Sequence, residues 1–77
     1  MRGHLIRFLD NRLELARATT ADRSLVRTYE TQAFGALTFY CEAYYYENKA
    51  QEEEALNNLW NDYYRTEFFN AWLEKTE

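Results

Sequence analysis

The chain has no proline and only two glycines, Gly3 and Gly35, with one cysteine, one histidine and one methionine in 77 residues. Each shortage excludes something. Asn-Gly and Asp-Gly pairs are absent and strand-like alternation does not occur, so nothing encodes a β-hairpin. Cys41 has no second cysteine to bridge, and His4 alone cannot build a standard zinc set. No run of about 18 apolar residues is present, which argues against a membrane-spanning helix. The stretch MRGHLIRFLDNRLELARA lacks the apolar core of a signal peptide, and Asp10 and Glu14 count against a transit peptide. A lone reduced thiol fits a cytoplasmic setting.

Aromatic residues, in contrast, make up 18% of the chain and crowd into FYCEAYYYEN, Phe39 to Asn48. Everything else in the pattern is helical. The sequence predicts one all-α domain over residues 1–77, with a short first helix and a long antiparallel hairpin of the second and third. Helix 1 is expected over about residues 4–18, on a stripe of Leu5, Leu9, Leu13 and Ala16. Thr19, Thr20 or Asp22 can cap helix 2, which is expected over about residues 21–47. Helix 3 is expected over about residues 50–75. The second break, ENKAQEEE, contains no glycine or proline, so a continuous rod through helices 2 and 3 is the alternative. Asn48 with Gln51 three residues on resembles a capping box, and Glu52 to Glu54 suit a first helical turn, which favours the hairpin.

The apolar faces are uneven. Val26, Tyr29, Ala33, Leu37, Tyr40 and Tyr44 form the main stripe of helix 2, but Phe39 and Tyr46 fall nearly opposite, beside Thr28 and Gly35. Two greasy sides call for two covers, and Gly35 would suit close approach by a second backbone. In helix 3, Leu56, Trp60, Tyr64, Phe68 and Trp72 step by four, a ridge that drifts about 40° per step around a straight helix. The two halves of helix 3 are therefore expected to face different neighbours. With helix 1 reaching only to about residue 37 of helix 2, the hairpin tip, including Leu56 and Trp60, is expected to stay uncovered. These features together suggest a homodimer or a protein partner. The expected interaction surface is Phe39, Tyr40, Tyr44, Tyr45, Tyr46, Trp60, Tyr64, Phe68, Phe69 and Trp72, since aromatic rings supply large contact area at low entropic cost.

Charge is also divided. Residues 1–28 carry six arginines against three carboxylates, whereas residues 29–77 carry three basic and ten acidic side chains. A basic helix 1 packing on acidic partners explains this most simply. Arg2, Arg7, Arg12 and Arg17 wind around their helix instead of forming a stripe, which disfavours direct nucleic-acid binding. Arg12 and Glu30 both fall within apolar arcs and are expected to form a partly buried ion pair, the alternative being that Arg12 snorkels to solvent.

Catalysis finds no constellation: Cys41 lies on an apolar stripe, Glu-x-x-His motifs are absent, and there is no phosphate-binding glycine loop. No cofactor or metal is implied. The sequence thus points to a non-catalytic helical module that self-associates or binds a protein. The alternative is a small acidic inhibitor that mimics nucleic acid.

Overall fold

A computed structural model describes residues 2–19, 23–43 and 49–75. It is all helical. Helix α1 spans Arg2–Ala18 and α2 spans Arg23–Ala43. The third helix is built from α3 (Lys49–Leu59), a π-helical turn (Trp60–Tyr64) and α4 (Arg65–Glu74), which follow one another without a break. It folds back along α2, so the two form a hairpin and not a rod, and α1 packs against both. The bundle is elongated, 44 × 18 × 16 Å.

The core follows the helical stripes. Leu5, Leu9, Leu13 and Ala16 of α1 are buried against Val26, Ala33 and Leu37 of α2 and against Leu56, Trp60, Tyr64, Phe68 and Ala71 of the third helix. Burying a leucine-sized side chain is worth about 1.5–3 kcal/mol, so this seam is the main source of stability.

The first four members of the ridge do not split between two neighbours as its drift suggested, and only the fifth, Trp72, turns partly out toward the groove. Leu56, Trp60, Tyr64 and Phe68 are all buried in the same core. The π-helical turn is the reason. There the Arg65 N–H donates to the Trp60 carbonyl, five residues back instead of four, so the turn absorbs one extra residue. Taking one residue out of the interval between Trp60 and Tyr64 leaves core spacings of four, three, four and three. That is the ordinary seam of a packed α-helix.

Leu56 and Trp60, near the hairpin tip, are also covered, contrary to the register expected from sequence. Both are buried, and Arg2 Nη1 lies 3.4 Å from Glu52 Oε2. Helix α1 starts earlier than expected and runs parallel to the third helix, packing most closely on α4. Polar ties mark this register. The Tyr64 hydroxyl donates to Asp10 Oδ1 at 2.6 Å, and Arg17 pairs with Glu67.

Both C-terminal helix ends at the opposite pole are capped in trans. Arg23 Nε donates to the carbonyls of Trp72 and Lys75, at 3.2 and 3.1 Å. Lys75 Nζ donates to the Arg17 carbonyl at 2.9 Å. A cation at a helix C-terminus satisfies orphan carbonyls and opposes the negative end of the dipole.

Two outcomes follow. Deleting Asp62, which is exposed within the π-helical turn, should leave helicity and urea stability at or above the parent value, because the seam becomes regular. Inserting an alanine at the same place should instead rotate Phe68 and Ala71 away and cost about 3 kcal/mol or more of core burial. A strongly destabilised deletion would show that the π turn does not carry the surplus residue. The second outcome concerns alkaline pH. Burial, then the Asp10 carboxylate, raises the Tyr64 hydroxyl above the ordinary tyrosine value. The folded state therefore holds a proton that the unfolded chain releases from about pH 10 upward, so stability falls as pH rises there. Urea titrations above that pH should fall more steeply for the parent than for Tyr64→Phe; equal slopes would contradict the assignment.

Candidate functional site

Helix α1 covers only one side of the hairpin. On the other side, α2 and the third helix leave a groove between them, and the sequence explains why. Arg27, Thr31 and Phe34 project from the flank of α2 that turns away from α1, and Asn61, Arg65 and Phe69 do the same on the third helix. The groove's larger hollow, about 510 Å³, is lined by Arg27, Glu30, Asn61, Arg65, Thr66, Phe68, Phe69 and Trp72. A second hollow continues it along Glu30, Thr31, Phe34, Trp60 and Arg65. A third, at the tip, is lined by Leu37, Thr38, Cys41, Glu42, Glu53 and Asn57.

Its floor is a run of aromatic rings. Phe34 lies 5.1 Å from Trp60 between centroids, and Trp60 lies 5.9 Å from Phe68. Phe69 stacks on Trp72 at 6.0 Å. Arg23 and Arg27 stand over the Trp72 ring at 4.1 and 5.9 Å, contacts of cation–π type. Phe34 and Phe69 are 47% and 54% exposed, so the rim presents ring area to solvent.

The residues expected to form one interaction surface are thus divided. Trp60, Tyr64 and Phe68 belong to the core, although Trp60 and Phe68 also form the groove floor. Phe69 and Trp72 lie on the groove. Tyr40 is half-buried against the core. Phe39, 69% exposed, stands on the far side of α2 with Gly35, whose missing Cβ would meet nothing within 4 Å among the described residues. Tyr44, Tyr45 and Tyr46 lie outside the described residues. Sequence reading passed over Phe34, Arg27 and Arg65; the available signal was their common side of the two helical wheels.

The expected Arg12–Glu30 ion pair does not form. Arg12 Nη1 donates to Gln32 Oε1 at 3.0 Å and Nη2 to Asn11 Oδ1 at 2.7 Å, and the guanidinium lies over the rings of Phe8 and Tyr29. Its Nε is buried with no partner. Axial register placed Arg12 within a turn of Glu30, but rotation decides the contact. Two residues swing a helix by about 200°, so Gln32 faces the α1 seam and Glu30 faces the groove.

Chemically the groove offers aromatic area, the guanidinium groups of Arg27 and Arg65, and the carboxylates of Glu30, Glu42 and Glu53. Among the described residues no three His, Cys, Asp or Glu side chains gather as a metal site, and no helix is long and apolar enough to cross a membrane.

A double-mutant cycle on Arg12→Met and Glu30→Leu should be additive to within about 0.5 kcal/mol, whereas Arg12→Met with Gln32→Leu should show coupling. Coupling confined to the first cycle would restore the ion pair. No known protein family, curated protein or solved structure matches this chain, so its groove has to be read from its own residues.

Proposed function

We propose that the protein is a non-catalytic helical interaction module and that its contact surface is the groove between α2 and the third helix. One observation carries this reading. Half-exposed Phe34 and Phe69 rim a hollow floored by Trp60, Phe68 and Trp72, on the side of the hairpin that α1 leaves open. An apolar floor with aromatic and arginine anchors at its edge is the composition of protein-binding hot spots. Exposed apolar surface rimmed by polar groups is a mark of association sites and ligand-binding grooves. The nucleic-acid-mimicking alternative draws no support from this groove, since Arg27 and Arg65 line it together with its carboxylates and no uniformly acidic face results.

Affinity capture from cells with the tagged chain as bait tests the proposal. Proteins held by the parent should be lost with Phe34→Asp or Phe69→Asp and kept with Phe39→Asp, which alters the far side of α2. Circular dichroism of each bait separates lost binding from lost fold. Capture that ignores both groove substitutions in folded baits would sink the reading.

A further inference from the structure

We propose that the occupant of the groove is a second copy of this chain, laid antiparallel across it about a two-fold axis beside Phe34 and Trp60. The inference rests on the reading of the groove as a contact surface and supplies its partner. The three hollows run along one seam, and apart from Glu30, which lies between Arg27 and Phe34 in sequence and lines the arginine end as well, their charged lining sorts by position. Arg27 and Arg65 line one end, whereas Glu42 and Glu53 line the tip. Phe34 and Trp60 occupy the middle, in contact with each other.

Spacing makes this arrangement self-complementary. Along α2, Phe34 stands seven residues after Arg27 and eight before Glu42. Along the third helix, Trp60 stands seven residues after Glu53 and five before Arg65. On each helix the opposite charges thus flank the aromatic centre at comparable distances, about 8–12 Å along the axis. A two-fold through that centre sets Arg27 and Arg65 of one copy over Glu42 and Glu53 of the other, and symmetry repeats the match at the far end. Parallel stacking would set like charges together, which costs affinity.

The same axis accounts for Phe34. An aromatic ring nearly half exposed at the centre of the seam would meet its own symmetry mate, giving an apolar centre with a charged rim. Size is adequate as well. The whole bundle is 44 Å long and 18 Å wide, so one full side of it approaches the roughly 800 Å² that each partner contributes to a standard interface. A chain this short buries only about 63% of its unfolded surface alone, so a second copy adds the apolar burial it lacks.

The test uses purified chain in sedimentation velocity and equilibrium, from low to high micromolar concentration. The parent should form a reversible dimer. The variants Arg27→Glu/Arg65→Glu and Glu42→Lys/Glu53→Lys place like charges at both ends of their own dimers, and each should dimerise at least about tenfold more weakly. Mixed in equal amounts, the two should form a heterodimer as tight as the parent, because both ends are again complementary. Circular dichroism verifies folding, and the single changes Arg27→Glu and Glu42→Lys replace any double variant that fails to fold. A parent that stays monomeric overturns the inference. So do charge-reversed homodimers as tight as the parent, or a mixture with no recovered affinity. A monomeric parent whose captured partners still vanish with Phe34→Asp would overturn the second copy alone. Groove-insensitive capture would overturn the contact-surface reading itself.

Discussion

The arrangement depends on a single constraint: four bulky residues spaced by four, Leu56, Trp60, Tyr64 and Phe68, must share one buried face. A straight α-helix would carry the last of them about 120° away from the first. The π-helical turn at Trp60–Tyr64 removes that rotation, and the consequences spread outward. It brings Phe68 and Ala71 under α1 and α2. It aims the Tyr64 hydroxyl at Asp10, which sets the axial position of α1. It also leaves Asn61 and Arg65 on the groove side, where α1 does not reach.

Polar groups then define register while apolar groups supply most of the stability. The ties along α1, at Glu52, Tyr64 and Glu67, are spaced over its length and largely solvent-facing. Exposed ion pairs contribute little individually, about 0–1 kcal/mol. Their value lies in penalising a slipped α1, which would lose all of them together. Arg12 illustrates the same division. Its charge is tolerated at the α1–α2 seam because two rings cover its faces and two side-chain oxygens accept from Nη1 and Nη2, although Nε is left without a partner.

Much of the fold was legible in the sequence. The stripe Leu5, Leu9, Leu13, Ala16 is buried throughout, as are Val26, Ala33 and Leu37, because single-helix periodicity is a local property. The break between α1 and α2 falls where the sequence placed it, between Ala18 and Arg23. The π turn was not, since no residue type encodes it. Its trace was the unexplained drift of the ridge, which a wheel of fixed pitch turned into a wrong neighbour assignment. The Arg12 partner was missed for a related reason: axial spacing was followed but rotation was not. The groove was legible least. It arises between two helices, from Arg27 and Phe34 on one and Arg65 and Phe69 on the other, and neither flank is distinctive alone.

The trans caps at the pole bear on how the chain reaches this structure. Arg23 closes the end of α4, and Lys75 closes the end of α1, across sequence separations of 49 to 58 residues. Small helical bundles usually fold quickly because their contacts are local, and the α1–α2 hairpin fits that rule. The third helix does not. Its contacts with α1 close loops of 50 to 58 residues, and α1 is synthesised well before its partner exists. Until then the leucine row of α1 is covered on one side only. Apolar edges left open during synthesis are where chains associate wrongly. Docking of the third helix is therefore the step expected to be slowest, and the two caps join groups that meet only in the docked state.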